Sequence, residues 1–443
     1  MPPPSTRAGL TLALLFAING LNFFDRQILG AVTEPVRKEW GLTDTQLGAL
    51  GTAFTLLYAI VGVPLGRLAD RWNRRVLLSL GVFLWSALTA LSGLAAGFWS
   101  LFVTRLGVGV GEAVCAPAAG SLIGDLYPAA RRARALAIFM LGLPLGIALS
   151  FIISGTVAAA YGWRAAFFVA GIPGCVLALV ALVWMWEPQR GAAETVAVGA
   201  RRRPGSPYRL LLSIPTMWWV ILSGALHNFN MYALASFLPS FLIRSHGLDL
   251  RQAGFVSGIL LGVAGGAGLF VGGKAADHLH GTRPNGRLWL GALCMFGAIP
   301  FQLLALSRAP GHPFLFMSLM LPAGLLVYVY YSTVYPAIQD IVEPALRGTA
   351  MAVYFFAMYV LGASFGPIGT GRLSDFLARQ AAGSHAITEP FRAVGLHRAM
   401  YVIPALQVLL GLVLYKASST FARDRQKLED WMKRQIQPAA SHN

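Results

Sequence analysis

Charge is what this sequence has least of. Of its 443 residues only 12% are charged, and Asp and Glu together number 18, whereas about a quarter of an ordinary soluble domain is charged. A chain this long and 56% hydrophobic cannot cover a water-exposed surface with so few charges, which excludes soluble enzymes and secreted scaffolds. Cysteine is nearly as scarce. Cys115, Cys175 and Cys294 each lie inside an apolar run, which argues against a disulfide framework, and they lack the spacing of metal ligands. The phosphate-cradling pattern GxxxxGK(S/T) is absent, and no polar domain is present to house a nucleotide, so ATP-driven transport is not expected. There is no Cys/His metal spacing and no nucleophile elbow. Neither an enzyme nor a cofactor is expected.

What remains is apolar sequence in long runs. Stretches of about 18–25 residues, enough to cross a bilayer, recur at 9–33, 46–66, 76–96, 98–126, 135–160, 164–186, 216–239, 252–273, 288–307, 314–341, 351–373 and 399–416. The first follows MPPPSTR without a small-residue cleavage site and reads as a retained span. The expected fold is therefore an all-α integral membrane protein of twelve helices in two six-helix bundles. Residues 1–186 form the first, 187–213 a cytoplasmic linker, 214–416 the second, and 417–443 a cytoplasmic tail. In that tail Phe421, Leu428, Trp431 or Met432, and Ile436 fall near helical spacing among basic residues, the pattern of an amphipathic helix on the inner membrane surface.

Basic residues outnumber acids, giving a net charge of +17. With both termini inside, 23 of the 35 Lys and Arg fall on cytoplasmic segments, the distribution of a multi-pass protein facing an anionic inner leaflet. The excess is topology, not a nucleic-acid surface. The halves also echo each other. GRLAD (66–70) is matched by GKAAD (273–277), and DLYPAARRARALAIF (125–139) by DIVEPALRGTAMAVY (340–354). Such repeats characterise secondary transporters, whose substrate site lies between the halves near the midplane.

Ionisable groups inside a span are costly, about 2.5–3.5 kcal/mol each on insertion scales, and mark function by default. Asp25 and Arg26 fall at a depth in the first span similar to that of Glu112 in the fourth, and Arg105, seven residues before Glu112, lies on nearly the same helix face. Two readings stand. Arg26 and Glu112 form a buried structural ion pair; or Asp25 and Glu112 handle a proton while Arg26 pairs in alternation with Glu112 and an anionic headgroup. Desolvation favours a neutral carboxyl and a nearby guanidinium the ionised one, so opening and closing a cavity can load and release a proton. Asn19 and Asn22 continue the same polar stripe, lining a cavity or bonding a neighbouring helix. In the seventh span His227, Asn228 and Asn230, and in the tenth Tyr328, Tyr330, Tyr331 and Tyr335, are candidate cavity walls or packing groups.

GRLADRWNRR (66–75) resembles the loop motif of the major facilitator superfamily, with Gly66, Asp70, Arg71, Arg74 and Arg75 in matching places. RLGVGVGEA (105–113) resembles its fourth-helix motif. Within the superfamily, NFFDRQ (22–27), Asn73, WS (85–86), GEA (111–113) and DLYP (125–128) resemble the spinster-like lysolipid transporters, most densely over 19–146. The glycine-rich fifth-helix stretch survives in GLPLGIALS (142–150) only as Gly142, Pro144 and Gly146. The resemblance implies an inner gate in which Asp70 faces the start of the eleventh helix and Arg74 pairs with Asp125. It also implies a proton-coupled, alternating-access transporter of a lysolipid or sphingoid-like amphiphile; the protein is expected to be a monomer resident in a bacterial inner membrane. A small organic anion or drug-like amphiphile is the second substrate reading.

Overall fold

The computed structural model describes residues 4–69, 71–190, 206–308 and 311–436, and among them every regular element is helical. The first half comprises α1 (Pro4–Trp40), α2 (Asp44–Ala69), α3 (Arg74–Ser92), α4 (Phe98–Glu112), α5 (Cys115–Leu126), α6 (Ala129–Met140), α7 (Gly142–Tyr161) and α8 (Trp163–Trp184). After the short α9 (Pro207–Leu212), the second half comprises α10 (Pro215–His246), α11 (Leu250–Gly258), α12 (Ala264–Thr282), α13 (Gly286–Ser307), α14 (Pro313–Asp340), α15 (Arg347–Ala357), α16 (Phe365–Ala382), α17 (Glu389–Met400) and α18 (Val402–Ile436).

Eleven helical stretches among the described residues are long and apolar enough to cross a membrane. The seventh expected span corresponds to α10, which has the length but is not one of the eleven. His227, Asn228 and Asn230 sit in its middle and dilute its hydropathy. Of the expected linker, 191–205, including ARRR (200–203), lies outside the described residues.

Four spans are interrupted where the sequence reads as continuous. The fourth breaks at Ala113–Val114, directly after Glu112. Pro117 has no N–H to give the Ala113 carbonyl, which removes the bond that would close the helix at this turn. The fifth breaks at Leu141, where Pro144 deprives the Met140 carbonyl in the same way. Gly142 and Gly146 then let α7 meet α1 backbone to backbone: a Cβ on Gly146 would lie 2.2 Å from the Gly20 carbonyl oxygen. In the eighth and eleventh spans, one-turn π segments at Ile259–Val263 and Met358–Ala363 join α11 to α12 and lead from α15 towards α16.

The three largest apolar cores hold the bundle. One lies in the first half (Leu77, Trp85, Ile123) and one in the second (Leu288, Tyr330, Tyr354). The third is shared by both halves and built from Val32, Phe151, Phe237 and Phe316. This shared core lies toward the end carrying the α1–α2 turn, called the outer end after the charge pattern. The expected surface-lying tail helix takes a different course. α18 continues the last span without a break to Ile436, with Phe421 and Leu428 buried against the second half. Asp424 accepts the Thr216 backbone N–H at 3.0 Å and its hydroxyl at 2.7 Å, pinning the tail to the start of α10. Apolar burial and a cap thus favour packing on protein over lying on lipid.

Candidate functional site

The midpoint of the bundle is organised by Arg26. Its Nε donates to Glu112 Oε2 at 2.8 Å within the first half, and its Nη1 donates to the Tyr359 hydroxyl of the second half at 3.0 Å. The guanidinium carbon lies 4.4 Å from the Tyr58 ring centroid and 5.0 and 5.4 Å from those of Phe23 and Phe54, a desolvated cation–π setting. Local irregularities place these groups. Glu112 ends α4 at the break one turn before Pro117, and Tyr359 lies in the π segment, a feature frequent at functional sites. Tyr359 also packs on Tyr58 at 4.9 Å and Tyr232 at 6.1 Å.

Asp25 points elsewhere. One residue along a helix turns the side chain by about 100°, and Asp25 is buried inside the first half with the Thr89 hydroxyl 3.5 Å from Oδ2. Arg105 is buried beside it, donating from Nη2 to the Asp25 carbonyl at 3.4 Å and lying 5.5 Å from the Phe54 ring centroid. Within the protein, Asp25 Oδ1, Glu112 Oε1 and the Nε and Nη1 of Arg105 have no hydrogen-bond partner. A small cavity beside the cluster is lined by Arg26, Gln27, Thr33, Phe54, Arg105 and Tyr232.

Other expected site residues separate into walls and ties. Tyr331 is half-buried beside His227, whose ring stacks on Tyr330 at 3.9 Å. Tyr330 is fully buried and bonds Ser223 and Tyr354. Asn19 makes the interhelical bond that was one of its two expected roles, its amide donating to the Phe139 carbonyl at 2.8 Å inside the first half. Asn22 is buried there too. Asn230 is likewise an internal tie, donating to the Ile403 carbonyl and Gln407 Oε1, both at 3.1 Å. Interhelical bonding of this kind relieves an amide that would otherwise be unsatisfied in an apolar interior.

At the inner end Arg74 is buried against Asp125, and it also bonds Ser121, Glu187 Oε1 at 2.7 Å and the Pro188 carbonyl at 2.9 Å. The expected pairing is present. Both partners belong to the first half, so the pair does not itself bridge the halves. Arg71 is exposed, Gly66 lies beside Pro117, and Asp70 lies outside the described residues. The second half repeats the arrangement: Arg287 bonds Asp340 at 2.7 Å and Asp277 at 3.1 Å. Arg132 bonds the Gly124 carbonyl and Arg347 that of Gln339, two arginines at matching places in the DLYP and DIVE repeats capping the preceding helix.

Sequence reasoning missed Tyr58, Tyr232 and Tyr359, isolated aromatics in apolar runs that carry no pattern. It also missed an ionic cluster at the outer end. Arg244 of α10 bonds Glu34 at 2.8 Å and both oxygens of Asp44 at 2.9 Å, and Arg37 bonds Glu34 at 2.7 Å and Glu389 at 2.6 Å. Lying near span ends, these charges read as topology signals.

The family model of the Major Facilitator Superfamily matches residues 15–367. An "MFS-type efflux pump" of Mycolicibacterium smegmatis is 30% identical over 94% of each chain. The sphingosine-1-phosphate transporter of Danio rerio is 26% identical, over 92% of this chain and 84% of its own. Among solved structures, a bacterial homologue of the human lysosomal transporter spinster, inward-facing and unoccupied, superposes with a TM-score of 0.85 and 28% identity, over 95% of this chain and 98% of its own. The chain is a multi-pass integral membrane protein that belongs to the major facilitator superfamily and is related within it to the spinster proteins.

Proposed function

We propose that this protein is a proton-coupled secondary transporter of a lysolipid or sphingoid-like amphiphile, working by alternating access between bundles 1–186 and 214–416, as a monomer with both termini cytoplasmic. One observation carries the reading: Arg26 holds Glu112 of its own half and Tyr359 of the other at once. A buried guanidinium between a carboxylate and a neutral hydroxyl has two replaceable partners. Protonation of Glu112 removes the charge that holds Nε, and an anionic headgroup with two oxygens offers the bidentate partner arginine favours. Asp25, buried inside the first half beside Arg105, takes the second proton role. The tyrosines of α10, α14 and the π segment give the acyl or sphingoid chain an amphipathic wall. The name of the Danio rerio relative supports an anionic amphiphile.

The second reading, a small organic anion or drug-like amphiphile, is favoured by an Escherichia coli relative named as a probable L-galactonate transporter, 30% identical over 82% of each chain, and by the efflux-pump relative. Flux into proteoliposomes separates the two. Labelled lysophospholipid should move saturably under a pH gradient while hexonates do not; hexonate flux without lysophospholipid flux would establish the second reading instead.

A further inference from the structure

The outer end contains a second copy of a motif met at the inner end. GRLSD (371–375) in α16 repeats GRLAD (66–70) at the end of α2. The two spans belong to different halves and run in opposite directions, so the copies fall on opposite sides of the membrane. α16 packs along α2 so closely that a Cβ on Gly371 would lie 2.2 Å from the Asp44 carbonyl oxygen, and one on Gly48 2.3 Å from that of Pro367.

Asp375, the last residue of the outer copy, sits on the first turn of α2. Its Oδ1 accepts the Asp44 backbone N–H at 3.1 Å, and its Oδ2 accepts the Thr45 N–H at 2.8 Å and the Thr45 hydroxyl at 2.6 Å. A carboxylate there satisfies helix donors that lack intrahelical partners and meets the positive end of the helix dipole. Next to it Ser374 donates to Asp44 Oδ2 at 2.6 Å, and Asp44 is held by Arg244 from α10. Glu34, Arg37, Asp44 and Arg244 are buried. Every bond from Asp375, Ser374 and Arg244 named here crosses from one half to the other.

We infer that Asp375, Ser374 and Arg244 form an outer latch that holds the halves together at this end and must release once per transport cycle. The inference rests on the alternating-access reading above. Release breaks only contacts between halves: Glu34 keeps Arg37 on its own helix, whereas Asp44 loses Arg244, Ser374 and the Asp375-bound helix start together. Such concerted loss makes the end two-state, either fully latched or open. The match of GRLSD with GRLAD gives the outer device a sequence counterpart at the inner end.

The test uses the full-length protein in lipid nanodiscs, its three cysteines replaced by alanine, with spin labels on Lys38→Cys and Ser384→Cys, exposed outer positions in the two halves. Distances are read without substrate or proton gradient, so they stand or fall independently of the substrate and coupling assignments. The unaltered latch should give one short distance. Asp375→Asn and Arg244→Gln should each raise the longer-distance population at least about tenfold, the scale of losing one charge-assisted bond, with the larger rise for Arg244→Gln, which loses three. If Arg244→Gln does not fold, Ser374→Ala must shift the population the same way. A Thr45→Cys/Asp375→Cys disulfide should abolish flux, with recovery on reduction. Unchanged distances in the latch variants, or full flux through the cross-linked protein, would overturn the inference.

Discussion

Arg26 and Tyr359 come from opposite halves of the molecule and meet at 3.0 Å, while the other edge of the same guanidinium holds Glu112 at 2.8 Å. A cation shared in this way reports the state of both halves at once. Removing one partner leaves a buried charge underpaired, which costs more than the bond itself is worth.

Arg26→Lys keeps the charge and removes the planar fork. Lysine reaches one partner at a time, so apparent affinity for an anionic amphiphile should fall about tenfold, with the larger loss in KM rather than in maximal rate. An unchanged KM in a proteoliposome titration would remove Arg26 from substrate recognition.

Asp25→Asn should act on coupling and not on binding. The side chain is buried between α1 and α3 beside Arg105, away from Tyr359. Counterflow of substrate without a gradient should persist, while uptake should no longer rise as the driving compartment is acidified. The pH profiles of the two proteins measured side by side test this directly.

Pro117→Ala restores an N–H to the Ala113 carbonyl and lets α4 and α5 join. Straightening the fourth span moves Glu112, so flux should drop at least several-fold although the melting temperature holds or rises, as when a strained functional site is relaxed. Retained flux would show that the break positions nothing.

Arg74→Asp should be destabilising by about 3–5 kcal/mol, because a buried pair loses one member. Adding Asp125→Arg should recover part of the loss in thermal melts. Full recovery is not expected, since the new aspartate would face Glu187, which now bonds Arg74 at 2.7 Å. No recovery would contradict the pairing.

Asp424→Asn tests the docked tail. It weakens the cap on Thr216 and should cost about 1 kcal/mol in unfolding without altering substrate affinity. An amphipathic helix lying on lipid would show no such loss.

The fold was legible because its signals are bulk ones. Apolar length, the placement of arginines and the GRLAD/GKAAD repeat each survive without knowledge of contacts. The Arg26–Glu112 pair was legible for a related reason, since a charge in a span must find a partner and only a few partners exist at that depth. Tyr359 was not. It is one aromatic among many, and only the π segment aims it at Arg26. Asn19 and Asn230 were open in sequence, because a polar residue in a span announces a hydrogen bond but not whether a helix or a substrate receives it. The outer cluster was hidden by its position, where Arg37 and Arg244 serve equally well as topology signals.

In the proposed cycle Glu112 exchanges a proton as Arg26 exchanges its partner. The direct test is a proton-flux recording from proteoliposomes carrying an internal pH dye, with lysophospholipid added outside and no imposed gradient. Substrate should drive a pH change in the unaltered protein, and Glu112→Gln should move lysophospholipid down its gradient with no pH change. Lysophospholipid movement without a pH change in the unaltered protein, or an undiminished pH change in Glu112→Gln, would contradict that cycle.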